Sequence, residues 1–342
     1  MEVPPIFERI EVHDDTSGIP DPLRKRFTQY PITAPGDWQE DQLTFRLRWE
    51  GGYANHLNPS VRATMGEEYR NRWLGAVAPK TVRLNAIKDL PMPERKTARR
   101  NIMPFPGVLM TFERFYDEDG KLVIGTRVGN YAQIHPDFGI CTPSFITRLR
   151  KDHRRLRQIS LWRVARGMGV QVLTETADNY HIFGLNTDDA MGAGFIGTLG
   201  ITPEITDEQM QLFVRLAGNK KTLDIPGVWL NDSIKKDLSE PDELNLESRG
   251  LQDSAFDRIS VLGAIPDPKS GWMTLIIACK LNITTSEVES LWPRDSKHQY
   301  QHFLFVKDNP QSLISLLSRP TLYPALYGGY HAYFRTFHPK LL

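Results

Sequence analysis

Three residues recur with one spacing in this chain: Gly184, Asp188 and Gly192, then Gly263, Asp267 and Gly271. An Arg-Gly-hydrophobic tripeptide precedes each set, Arg166-Gly167-Met168 and Arg249-Gly250-Leu251. Further back, Ser144 matches Ser233 and Pro136 matches Pro226. The separation shrinks from 90 residues at the prolines to 79 at the glycines and never reverses. A duplicated unit with small insertions and deletions would drift in this way. The pattern predicts two copies of one unit, with strands near 121–127 and 211–216 in equivalent sheet positions and a strand over 194–201 serving both.

The elements around this recurrence are read from periodicity and turn chemistry. Leu43 to Trp49 alternates apolar and polar residues, as a half-buried strand does. Ser60 can cap a helix from Val61 to about Val77, and Lys80 to Leu90 reads as a strand. The Pro-rich, basic run PMPERKTARRNIMPFPG then reads as a linker. Val108 to Val128 is a hairpin around Asp117-Glu118-Asp119-Gly120, because Asp-Gly supplies the positive φ angles of a tight turn. A helix over 152–167 is expected to end at Gly167-Met168-Gly169, followed by strands at 180–185 and 194–201. The second unit repeats that order: a strand at 212–216, a Pro segment at 225–230, a helix over 240–250, and strands at 259–262 and 272–279. Thr206-Asp207-Glu208-Gln209 and Thr284-Thr285-Ser286-Glu287 read as helix starts, the latter a capping box. A helix at 312–317 and a Tyr- and Phe-rich tail packed on the body complete the chain. The expected fold is α/β (α+β), with an accessory domain over 1–104, a first unit over 105–192 and a second over 193–342.

The order of signals resembles the Nudix superfamily over about residues 105–335. The residues carrying the resemblance begin with the strand Leu122 to Val128, with Arg127 near its end. The Pro segments follow, His135-Pro136-Asp137-Phe138 and Ile225-Pro226-Gly227-Val228-Trp229. Then come the two Arg-Gly tripeptides and the strands at Phe183-Gly184 and Leu262-Gly263. The resemblance implies a mixed-sheet sandwich, duplicated, in which helix glutamates hold magnesium against a pyrophosphate. Those glutamates are missing. The first matching helix carries one acid, Asp152. In the second, Gly250 follows Arg249 where a glutamate is usual, Asp253 matches one glutamate position, and Ser254 stands at the next. A hard cation needs clustered carboxylate oxygens. The resemblance therefore predicts a fold that has lost magnesium-dependent hydrolysis, with no metal and no cofactor.

Arginine is the alternative anion ligand. Eight Arg or Lys residues lie between Arg148 and Arg166, and on a helix Arg150, Arg154 and Arg157 fall on one face. A solvated helix face is the plainer account of such a run. Gly192 to Gly197 matches G-x-G-x-x-G but leads into a strand, so it reads as a turn. His298 and His302 have metal-pair spacing without a third ligand. A net charge of +1 gives no global field to recruit nucleic acid or membrane, so nucleic acid is a secondary partner. No secretory signal opens the chain and no apolar run reaches membrane length, which predicts a cytoplasmic protein with no membrane partner. Cys141 and Cys279, both in apolar contexts, then read as buried free thiols. The resulting expectation is a non-hydrolytic protein that binds a phosphorylated or nucleotide-like small molecule through Arg150, Arg154, Arg157, Arg249, Asp253, Trp229 and Trp272. A metal-independent cyclase or isomerase, with a pocket lined by Trp229, Trp272, Phe138 or Tyr131, is the second reading. A scaffold without ligand is the third. Oligomeric state is not legible.

Overall fold

The computed structural model describes residues 6–13, 18–48, 108–130, 166–186, 195–201, 204–205, 207–217, 222–240, 243–266, 273–291 and 300–342. Its frame is two mixed sheets with few helices. The first sheet runs in the order β1 (Ile6–Ile10), β13 (Tyr300–Lys307), β6 (Tyr180–Asn186), β5 (Arg166–Glu175), β12 (Met273–Leu281) and β11 (Phe256–Pro266). Within it β1 is parallel to β13 and β12 to β5, while β6–β13 and β11–β12 are antiparallel. The short strands β7 (Ile196–Gly197) and β8 (Gly200–Ile201) extend β6 and β5. The second sheet holds β3 (Val108–Glu118), β4 (Lys121–Asn130), β2 (Leu43–Arg48) and β10 (Thr222–Pro226), with β9 (Glu204–Ile205) on the free side of β3. The sheets meet where Thr111 and Phe112 pair with Gly167 and Arg166.

Local chemistry accounts for the elements that matter here. In the β3–β4 turn, Asp119 and Gly120 both take positive φ, and the Asp117 carboxylate accepts from the Gly120 amide. That is the backbone a two-residue hairpin loop needs. In β2, Leu43, Phe45 and Leu47 are buried while Thr44, Arg46 and Arg48 point to the opposite face. The inner faces of the two sheets share one core, where Phe45, Leu47 and Ile124 meet Val172, Ile277, Phe303 and Trp229. Trp229 belongs to helix α3 (Val228–Ser239), which follows α1 (Asp21–Phe27) and α2 (Asp207–Ala217). A second core lies on the other face of the first sheet, under α1, α5 (Pro310–Leu317) and α6 (Ala325–Phe337). Leu173, Phe183 and Leu304 point into this second core, and their chain neighbours Val172, Ile182 and Phe303 point into the first. The first sheet is thus buried on both faces. Between β12 and β13, the helix α4 (Thr285–Leu291) opens on the expected capping box: Glu287 Oε2 accepts from the Thr284 amide, and Thr284 Oγ1 accepts from the Glu287 amide. The aromatic tail packs on the body as α6, with Tyr330 and Phe334 fully buried.

Several expected elements are corrected. Residues 212–216 are helical, within α2, where Phe213 and Ala217 are buried one turn apart. The apolar run Leu212-Phe213-Val214 mimicked a strand. Gly167-Met168-Gly169 does not end a helix. It lies in β5, which takes β12 as a parallel neighbour along most of its length. The expected helix over 240–250 is reduced to a 3-10 turn at Leu246–Arg249, closed by Gly250 in the left-handed region. So Arg166-Gly167-Met168 is strand while Arg249-Gly250-Leu251 is turn, and the two segments expected to superpose, 121–127 and 211–216, are strand and helix. At these positions the spacing recurs and the structure does not. The strand expected over 194–201 is split between β7 and β8. The elements expected at 61–77, 80–90 and 152–165 and the boundary near 104 lie outside the described residues. On either side of that boundary, β2 pairs with β4 and β1 with β13.

Candidate functional site

The outer face of the second sheet concentrates the arginines of β2, β3 and β4. Two rows of residues face away from the inter-sheet core, set by the parallel register of β2 and β4. One row pairs Arg46 with Gly125 and the next pairs Arg48 with Arg127. A bulge between Phe112 and Arg114 puts both Glu113 and Arg114 beside these rows.

The two rows differ in how their charge is met. Arg46 is doubly paired: its guanidinium makes paired bonds to both oxygens of Asp224 (2.8 and 2.9 Å) and of Glu118 (2.6 and 2.9 Å). These two carboxylates raise its pKa further. The second row is cation-rich. Arg127 Nη2 donates to Glu113 Oε1 at 2.7 Å, and Arg48 Nη1 reaches the same oxygen at 3.5 Å. Arg127 is held from behind, with its side chain 7% exposed and its carbonyl accepting from the Thr111 hydroxyl. Arg48 is 34% exposed. Arg114 lies over the Tyr116 ring at 4.3 Å, and no carboxylate among the described residues pairs with it. Burial pushes the Glu113 carboxyl pKa upward, but the Arg127 bond and the charges of Arg127, Arg48 and Arg114 outweigh it, and the net shift is downward. Glu113 is therefore ionised, and among the described residues three guanidinium groups stand around one carboxylate. Such a cluster can hold an anion.

A second cluster of titratable groups lies under α6. His181 Nε2 and the Tyr333 hydroxyl both donate to Asp308 Oδ1, at 3.1 and 2.8 Å. The His181 proton is assigned to Nε2 because the carboxylate can only accept. Histidine, aspartate and tyrosine in a chain suggest acid–base work, but access decides against it. The His181 side chain is 1% exposed, and it packs edge-on against the rings of Tyr330 and Tyr333. A substrate atom cannot reach it, so the network fastens α6 to the first sheet. Gly328 and Gly329 permit that approach, since a Cβ at either would run into Ile265 or Gln171.

The residues expected from sequence to bind ligand are dispersed. Trp229 faces the inter-sheet core, edge-on to Phe45 at 5.3 Å. Arg249 donates to the Ser290 carbonyl at 2.9 Å, near the end of α4. Asp253 is exposed in the turn before β11. These surroundings are not shared, so the three form no common site. Arg150, Arg154, Arg157 and Trp272 lie outside the described residues. Of the two metal-spaced histidines, His302 sits in β13 beside Glu8, and His298 is outside the described residues. Among the described residues no group of three or more His, Cys, Asp or Glu could hold a metal ion. None of the helices described is long and apolar enough to cross a membrane. Cys279 is a free, buried thiol whose pKa burial pushes up to about 12, which makes it inert. Sequence reading missed Arg48 and Glu113 as a pair. The alternation of β2 put Arg48 on an outward face, but only the pairing of β2 with β4 brings it to Arg127. The chain matches no family model, and no curated protein matches it.

Proposed function

We propose that this protein binds the anionic group of a phosphorylated or nucleotide-like small molecule through arginine, without a catalytic metal and without hydrolysing it. The observation that supports this reading is that, among the described residues, Arg48, Arg127 and Arg114 stand around the one carboxylate of Glu113. Guanidinium forks match phosphate oxygens in shape and charge, and a partly buried one is weakly screened. Arg127 supplies a fixed donor and Arg48 an accessible one. Nudix-like ancestry is part of the proposal for residues 105–192. The hairpin it requires is present, and most of the helix it requires lies outside the described residues.

The test is a thermal shift of the full chain with inorganic pyrophosphate in EDTA, at low and high salt. Stabilisation that falls with salt and is lost in Arg48→Gln is the expected result. An undiminished shift in Arg48→Gln overturns the assignment to this face. If the Arg150, Arg154, Arg157→Gln variant alone loses the shift, the anion belongs to that basic segment instead. Phosphate release from a nucleotide panel should stay at background with magnesium present, and release abolished by EDTA would refute the non-hydrolytic reading.

A further inference from the structure

Arg114 is held differently from Arg48 and Arg127. Its guanidinium lies over the Tyr116 ring at 4.3 Å, and the residue is exposed. The ring in turn reaches over Gly125, where a Cβ would meet its Cε2 at 3.0 Å and its hydroxyl oxygen at 3.1 Å. The missing side chain is what lets the ring come so near the sheet. The result is a stack of sheet backbone, aromatic ring and guanidinium, with the guanidinium outermost. A guanidinium donates hydrogen bonds from its edges and stacks through its faces. In register, Gly125 pairs with Arg114 on β3 and with Arg46 on β2, and Arg127, two residues on, pairs with Arg48. The backbones of Arg114 and Arg48 therefore stand about 12 Å apart across β4. Both charges act on the Glu113 carboxyl.

We infer that the ligand of this face is a phosphate ester that carries an aromatic ring, with its phosphate on Arg48 and its ring stacked on the exposed side of Arg114. The inference rests on the anion-binding reading above and narrows it. Neither contact requires a buried atom, since Arg48 is 34% exposed and Arg114 is exposed. A phosphate alone would use the edge of Arg114 and leave its flat outer side in water. That side is weakly hydrated, so an aromatic ring displaces water from it at low cost. With the ring in place the guanidinium lies between two π faces and is attracted by both. The ring is either the base of a nucleotide or an aryl group esterified directly to phosphate.

Isothermal titration of the full chain with phenyl phosphate and with cyclohexyl phosphate tests it, since each presents one six-membered ring and one phosphate. Phenyl phosphate is expected to bind about fivefold tighter, the scale of a cation–π contact at an exposed site. A merely apolar contact gives the opposite order, because cyclohexyl phosphate has the larger apolar surface. Arg114→Lys keeps the charge and loses the flat face, so it should bring the ratio close to one. An unchanged preference in a folded Arg114→Lys variant overturns the placement on Arg114. The wild-type ratio decides the matter even if that variant fails to fold. AMP and ribose 5-phosphate then separate the sources. A preference for AMP that Arg114→Lys removes identifies a nucleotide, and phenyl phosphate selectivity without it identifies a directly esterified ring. Equal or reversed, Arg48-dependent affinities for phenyl and cyclohexyl phosphate overturn the ring inference and leave the anion reading standing. Binding of none of these esters, with no shift by pyrophosphate, overturns both.

Discussion

Tyr330 differs from phenylalanine by one hydroxyl, and that hydroxyl is buried with no partner. Its neighbour in the same network, Tyr333, donates to Asp308 at 2.8 Å. The two tyrosines should therefore respond oppositely to the same change. Tyr330→Phe removes an unsatisfied polar atom and is expected to leave stability unchanged or raise it by up to about 1 kcal/mol. Tyr333→Phe removes a bond to an ionised acceptor and is expected to cost about 1–2 kcal/mol. Urea unfolding of both variants checks this, and equal destabilisation would show that Tyr330 has a partner in solution. Asp308 adds a pH signature. Burial works to raise its pKa, but the bonds from His181 and Tyr333 and the charges of His181 and His338 outweigh burial, so the folded value lies below 3.8. The carboxylate's contribution is then complete above that value and is lost as pH falls through the lower folded one. The stability gap between wild type and Asp308→Asn should close as pH falls below about 4. A gap that widens on acidification would contradict the sign. The residue scale also explains the recurrent glycines. Gly184 makes room for the Tyr300 ring, whereas Gly263 adopts a φ of +133° at a strand irregularity. One residue type recurs there for unrelated physical reasons.

Elements defined by local chemistry were legible in the sequence, and those defined by distant partners were not. The β3–β4 hairpin, the α4 capping box and the alternation of β2 each depend on residues a few positions apart. α2 was misread because Leu212-Phe213-Val214-Arg215-Leu216 is apolar enough for a strand and too short to show a helical period. Among its described side chains the period is clear: Phe213 and Ala217 are buried at 5% each, and Leu212 and Leu216 are exposed at 44% and 62%. Phe213→Ala is expected to cost about 3–5 kcal/mol and Leu216→Gln less than about 0.5 kcal/mol. Chemical denaturation of the two variants decides it, and comparable losses would mean that the exposed stripe is covered in solution. The candidate site divides the same way. Arg127 could be noticed at the end of a hairpin strand, but its relation to Arg48 depends on a parallel pairing between distant strands, and Glu113 comes to both through a bulge. No local pattern encodes either.

At the scale of the whole molecule, early and late segments are interleaved. β1 forms the edge beside β13, with Phe7 stacked on Phe303 and Phe305 at 5.9 Å. α1 packs in the second core with α6, and Arg24 holds the carbonyls of Leu341 and Leu342. β2 lies between β4 and β10, contributing Phe45 and Leu47 to the core between the sheets. Composition and linker chemistry mark a boundary near residue 104, and an accessory domain there would be removable. The pairings argue for the opposite behaviour. Without residues 1–104, β4 loses its parallel neighbour, β10 loses its only pairing among the described strands, and β13 exposes an edge along with two phenylalanines. Fully buried side chains of this size are worth about 1.5–3 kcal/mol each, and a domain's net stability is only about 5–15 kcal/mol. Loss of Phe27, Phe45 and Leu47 together therefore exhausts much of that margin before any hydrogen bond is counted. A chain of residues 105–342 is expected to show no cooperative thermal transition and to bind a dye for exposed apolar surface. Adding residues 1–104 in trans should restore part of the transition, because the missing strands have specified partners. A fragment that melts sharply at the temperature of the full chain would establish that residues 1–104 are a separable domain.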